Sequence, residues 1–240
     1  MRYLITFSYD GTKFHGFQRQ NTVKNVQGEL EQVLSTVLDE AIVIKGSGRT
    51  DAGVHAHCQG AHFDTNRKIT RKDKKRINKQ LNGEIIIKSY QKVREDFHAR
   101  RNVLEKKYVY QINNGAFDPN KEGYFYQIRY KLDLKAMKEC LKLFEGTHDF
   151  RNFVSGSRID YTTTIYKTRL KKKGSIIYLE FVGIGFYRYM VRHLVGAVLD
   201  VGRGKKKLAD VAAMLDSSCI FQGSVAPASG LYLEKIKYDL

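Results

Sequence analysis

The 240-residue chain has no tryptophan and only two prolines. It also has no Ser/Pro/Gly-rich stretch and no short-period repeat. Nothing therefore reads as a flexible tether, and any two domains are packed together. Cysteine is nearly absent. Cys58, Cys140 and Cys219 are odd in number and widely scattered, which excludes a disulfide framework and suits a reducing cytoplasm. No apolar run reaches the roughly 18 residues needed to span a bilayer. The opening M-R-Y-L-I-T-F-S-Y-D lacks a signal peptide's apolar core and cleavage site. A cytoplasmic protein with no membrane partner is expected. Acidic residues are scarce, 25 against 42 Lys and Arg, leaving a formal charge of +17 and a pI near 9.7. That surplus points to a polyanionic partner, nucleic acid ahead of an acidic membrane surface.

Length allows one large domain or two small ones, with a sizeable core. Alternation predicts a strand over Tyr3–Tyr9, then an irregular loop with exposed aromatics, G-T-K-F-H-G-F-Q-R-Q-N. Apolar residues at three- and four-residue spacing predict a helix over Val26–Leu38. A short buried strand, Ala41–Lys45, leads into a glycine loop. Ala56–Phe63 reads as a strand, Lys72–Leu81 as a basic helix and Glu84–Val93 as a strand. This β-α-β-β-α-β order is that of the split βαβ unit. The second half echoes it more loosely. Strands are expected at Lys106–Asn113 and Leu231–Lys237, with a hairpin of Ile165–Lys171 and Ile176–Val182. Helices are expected at Leu134–Phe144, Tyr187–Leu199 and Leu208–Met214. The boundary falls near Arg100–Lys106, giving domains 1–103 and 104–240. The fold class is α+β: two ferredoxin-like or RRM-like halves sharing a central mixed, mostly antiparallel sheet, with the active cleft between them.

The run G-S-G-R-T-D-A-G-V-H-A, Gly46 to Ala56, puts Arg49 and Asp51 among glycines. It lacks the G-K-[ST] of a phosphate-binding loop, and a strand follows where that loop needs a helix. It lacks the third glycine of a dinucleotide fingerprint. A plain turn would explain the glycines, but not a carboxylate in a protein built to attract phosphates. Catalysis would. Downstream, His55 and His57 should share one strand face and Cys58 and His62 the other, so no tetrahedral metal set forms.

Read in order, seven motifs resemble the bacterial tRNA pseudouridine synthase A family. They are Y-D-G-T-x-F-x-G-F-Q (Tyr9–Gln18), V-Q-G-E-L-E (Val26–Glu31), F-H-A-R (Phe97–Arg100), K-x-Y-x-Y (Lys106–Tyr110), G-T-H-D-F (Gly146–Phe150), F-Y-R-Y-M-V-R-H-L-V-G (Phe186–Gly196) and A-P-A-S-G-L-Y-L (Ala226–Leu233), beside the glycine loop itself. The resemblance implies isomerisation of uridine to pseudouridine in RNA, without cofactor or metal. Asp51 matches the essential aspartate. Arg192 matches an arginine that pairs with it, Tyr108 a tyrosine that stacks on the target base, and Arg49 an arginine that helps displace the target nucleotide. It also implies a homodimer and targets at about positions 38 to 40 of the tRNA anticodon stem-loop. The basic runs Arg67–Arg76, Lys171–Lys173 and Lys205–Lys207 would hold phosphates. The loop at Asn114–Tyr126 lacks the tryptophan often found in the family, and Phe150–Phe153 reads F-R-N-F, slightly altered. These departures leave ribosomal RNA open as the substrate. Two further rivals are an RNA-binding module without chemistry, against which Asp51 argues, and a metal-dependent nuclease, which needs a carboxylate cluster near Asp51.

Overall fold

The computed structural model describes residues 1–216 and 223–240, so Cys219 lies outside the described residues. In chain order the first elements are β1 (Arg2–Tyr9), α1 (Val26–Leu38), β2 (Lys45–Gly46), β3 (His55–Asp64), α2 (Arg71–Gln80), β4 (Ile85–Val93) and β5 (Val103–Asn113). They continue as β6 (Tyr126–Gln127), α3 (Leu134–Leu143), β7 (Gly146–Asp149), β8 (Thr162–Lys173), β9 (Ile176–Gly183), α4 (Met190–Gly202), α5 (Leu208–Leu215) and β10 (Leu231–Tyr238). The chain forms two compact units. One is Met1–Leu104 with Leu233–Leu240, and the other is Glu105–Tyr232. The division proposed from sequence put residues 233–240 in the second domain; these residues pack with the first unit.

In the first unit β1 lies between β4 and β3, antiparallel to both. β2 pairs with β3 over only two residues, and Leu233–Tyr238 of β10 also lies beside β3. α1 begins where Asn25 accepts a hydrogen bond from Gly28 N–H at 2.9 Å, a side-chain cap. It buries Val26, Leu30, Val33, Leu34, Val37 and Leu38, the expected face. The strand expected over Ala41–Lys45 shortens to β2. Its upstream backbone bonds to α1 side chains instead, Ile42 N–H to Ser35 Oγ at 2.9 Å and Ile44 N–H to Glu31 Oε1 at 3.0 Å.

In the second unit β5, β9, β8 and β7 are neighbours in that order, each pair antiparallel. β6 runs parallel to β5, so the sheet is mixed but mostly antiparallel. α3 packs on α4, α5 and β8. β7 was not foreseen; its G-T-H-D sequence is short and polar, and Phe150 and Phe153 just beyond it fill the core against Phe144. α4 starts three residues later than the apolar spacing suggests. Tyr189 takes φ 59°, ψ −1°, a left-handed conformation that interrupts a right-handed helix.

Candidate active site

Asp51 follows β2 on the loop that enters β3. Its carbonyl accepts Val54 N–H at 3.2 Å, closing a tight turn. Gly53 sits in that turn at φ 77°, a region glycine enters without strain. Asp51 is half-buried and Arg49 is exposed. The chain on both sides is clamped. The Thr50 carbonyl accepts Phe17 N–H at 3.1 Å, and the Thr50 hydroxyl shares a 2.8 Å hydrogen bond with the Tyr9 phenol. Gln59 of β3 accepts from Ser47 Oγ at 2.5 Å and donates to the Gly48 carbonyl at 3.3 Å. Burial pushes the Tyr9 phenol up to about 12, against the opposing bonds to Thr50 and Gln59. Tyr9 therefore remains a neutral hydroxyl. These bonds fix the backbone from which the Asp51 carboxylate projects.

The Tyr9–Gln18 segment backs this loop. A Cβ on Gly11 would stand 2.4 Å from the Val54 carbonyl oxygen, so only glycine permits the approach. Gly11 N–H donates to His55 Nδ1 at 3.0 Å, which leaves a neutral His55 ring its proton on Nε2. Phe14 and Phe17, expected to be exposed, are buried beside Tyr9 and Phe7. The supporting roles of Tyr9, Phe17 and Gln59 were missed because they are brought to the loop by strand pairing, not by sequence proximity. His55 is buried and His57 exposed, although plain alternation puts both on one face. The β1–β3 register slips between Phe7 and Tyr9, and that irregularity breaks the period. No group of three or more His, Cys, Asp or Glu among the described residues could hold a metal.

In the second unit, Tyr108 of β5 is buried, with its ring edge-to-face to Phe186 at 5.2 Å. Tyr110 is the core residue of the pair. It is fully buried and donates to the Pro227 carbonyl at 2.8 Å, and burial raises its phenol well above the usual range. Arg192 of α4 is half-buried. Its Nε donates to the Ala226 carbonyl at 2.7 Å, while Ala226 N–H donates back to the Arg192 carbonyl at 3.1 Å. Its guanidinium lies 4.7 Å from the centre of the Tyr189 ring. The A-P-A segment thus anchors both Tyr110 and Arg192. Tyr189 was not singled out from sequence. A bulky residue at positive φ is strained, by about 1–3 kcal/mol, and no residue pattern announces it.

The basic runs separate into engaged and open cations. Lys171 and Lys107 both bond Glu180, at 2.7 and 3.2 Å. Burial alone would raise the Glu180 carboxyl, but those two ammonium groups outweigh it and hold it below its usual value. Lys206 lies 3.5 Å from Asp200, both nearly buried. Lys171 and Lys206, from two of the basic runs, are thus each paired with a carboxylate.

The model of one family, the tRNA pseudouridine synthases, matches residues 5–101 and 140–239. The chain belongs to that family. The seven motifs read from sequence therefore led to the right enzymes. A tRNA pseudouridine synthase A of Geobacillus sp. (strain WCH70) is 41% identical over 99% of this chain and 98% of its own. One from Geobacillus kaustophilus (strain HTA426) is 40% identical over 97% of this chain and 92% of its own. A solved H/ACA ribonucleoprotein bound to a substrate RNA containing 2′-deoxyuridine is 14% identical, with a TM-score of 0.38, over 82% of this chain and 44% of that one. As a tRNA pseudouridine synthase the chain is an enzyme, and no helix among its described residues is long and apolar enough to cross a membrane.

Proposed function

We propose that this enzyme isomerises uridine to pseudouridine in tRNA, at about positions 38 to 40 of the anticodon stem-loop, with Asp51 as its catalytic residue. The observation that carries the reading is Asp51 itself. It is a half-buried carboxylate on a turn clamped through Thr50, Ser47 and Gly48, within a chain matched to the family on both sides of it. The reaction balances without a redox partner. The N1–C1′ bond breaks, the uracil turns, a C5–C1′ bond forms, and the C5 proton is lost as N1 gains one. A carboxylate can stabilise the electron-poor sugar carbon and receive a proton, provided it is ionised.

Arg49, Tyr108 and Arg192 are proposed as substrate-binding residues. Arg49 is exposed, where a guanidinium can fill the gap left when a nucleotide leaves its stem. Tyr108 offers a ring and a hydroxyl to the target base. Arg192 supplies a fixed cation that favours the ionised carboxylate. The enzyme is proposed to act in the cytoplasm as a homodimer, so that one tRNA meets two subunits. The test is to map pseudouridine in tRNA and ribosomal RNA from cells with and without the protein. Loss at tRNA positions near 38 to 40 is expected; loss in ribosomal RNA alone would assign the chemistry to that substrate.

A further inference from the structure

α2 sets cations where helix physics disfavours them. Arg71 and Lys72 open the helix, at the end where its dipole repels positive charge. Arg71 and Lys75, Lys72 and Arg76, and Lys75 and Lys79 are like-charged pairs four residues apart, each costing about 0.2–0.5 kcal/mol. The acidic residue of the first turn, Asp73, is already committed to Thr70 and Arg67. Among the described residues no carboxylate ion-pairs with Arg71, Lys74 or Lys75. Local rules broken together mark a functional site more often than a structural one.

The same residues line a concave surface. Arg71, Lys74, Lys75 and Asn78 fall at the i, i+3, i+4, i+7 spacing of one helix face. With Tyr90 of β4 they line a cavity of about 350 Å³. The wall is built from both elements. Asn78 accepts Ile87 N–H at 2.8 Å and donates to the Ile87 carbonyl at 3.1 Å, and Lys74 Nζ donates to the Lys88 carbonyl. These bonds fall where the β1–β4 register slips, so that Phe7 pairs with Ile87 and Thr6 with Ser89. The irregularity leaves backbone groups that α2 satisfies, and it ties the helix to the strand.

We propose that this cavity is an RNA site separate from the catalytic loop, in which Arg71, Lys74 and Lys75 hold the phosphodiester backbone and Tyr90 stacks on an adjacent base. The proposal rests on the reading of the protein as an RNA-modifying enzyme. Charge complementarity selects the occupant, because three unneutralised cations call for a polyanion, and the single ring among the lining residues suits a nucleobase. Tyr90 lies about 15 Å along β4 from Ile85, the end of the strand nearest Tyr9. One flipped nucleotide does not reach that far, so the site contacts a different part of the RNA. Its work is to set register and orientation, as phosphate contacts do.

The test measures binding of a tRNA transcript at several salt concentrations, with single-turnover tritium release from 5-tritiated uridine at saturating RNA. The variants are Arg71→Gln/Lys75→Gln, both exposed positions, with Tyr90→Phe and Tyr90→Leu. The double variant should lower the log–log salt slope by about 1.4–1.8, two phosphate contacts' worth. Tyr90→Leu should weaken binding about tenfold while Tyr90→Phe binds as wild type. The double variant should melt no lower than wild type, since it removes two like-charged pairs, the Tyr90 variants should melt close to wild type, and all should react at the same saturated rate. An unchanged slope, or Tyr90→Leu binding as tightly as Tyr90→Phe, overturns the proposal. So does competition by poly-glutamate that matches single-stranded RNA, which would make the site a protein-docking surface. If wild type forms no pseudouridine but the slope and Tyr90 effects appear, the RNA site stands and the catalytic reading falls.

Discussion

Replacing Asp51 by Asn changes one charge and almost no volume. The turn is held by backbone groups and by Thr50, Ser47 and Gly48, and an amide can take the place of the carboxylate. Asp51→Asn should therefore keep its melting temperature and tRNA affinity while losing roughly a thousandfold or more in turnover. Tritium release with parallel binding measurements checks this, and turnover near wild type would remove Asp51 from the chemistry. Arg192→Lys keeps the charge but loses the Nε donor that fixes the side chain on the Ala226 carbonyl. A lysine is a mobile point charge without a planar fork. The single-turnover rate should drop about 10- to 100-fold with little change in affinity; a falling affinity at constant rate would make Arg192 an RNA contact instead. Both residues could be offered as candidates from the sequence because they sit in contiguous motifs. The Tyr9 phenol and Gln59 were not, because what they contribute is a hydrogen bond to a loop about 10 to 40 positions away. The strain at Tyr189 was equally hidden, since φ is set by what packs around a residue.

At the scale of elements, periodicity served well where packing and local propensity agree. α1 spans the residues that its apolar spacing foretold, starting after a capping Asn25. It failed where side chains replace a ladder. Residues 41–44 looked like a buried strand, but Glu31 and Ser35 of α1 take the N–H groups of Ile44 and Ile42. Glu31 is the hub of this arrangement. It is buried, bonds Arg19 at 2.9 Å and Gln27 at 3.0 Å, and accepts from Ile44. The V-Q-G-E-L-E motif is thus a clamp that aims the segment entering the catalytic loop. Glu31→Ala should cost about 2–3 kcal/mol, chiefly by leaving the Ile44 N–H buried without a partner. Urea unfolding would show a lower midpoint at unchanged slope, and a loss under 0.5 kcal/mol would mean that water replaces the carboxylate.

For the whole molecule, acid is a specific threat. His62 is buried on β3, accepts Ala99 N–H at 3.1 Å through Nδ1, and faces the His98 ring at 4.8 Å. Burial first, then the charges of His98, Arg2 and Lys45, bring it down to about 4. An unfolded histidine titrates near 6.5. Between those values the unfolded chain binds a proton that the folded chain refuses, so stability falls as pH drops from about 6.5 to about 4. The loss should be about 3 kcal/mol. His62→Asn preserves an acceptor for Ala99 and cannot titrate, so its melting temperature should decline less over that range. Parallel melting curves for the two proteins would refute the assignment. The composite first unit also constrains synthesis. Its sheet includes residues 233–238 beside β3, whereas the second unit is one continuous stretch, Glu105–Tyr232. On a ribosome the first unit is made first but waits for its last strand. At roughly 5–20 residues per second that wait is on the order of ten seconds. Throughout it, most of the β3 edge stands uncovered, and the second unit is the first that can be completed.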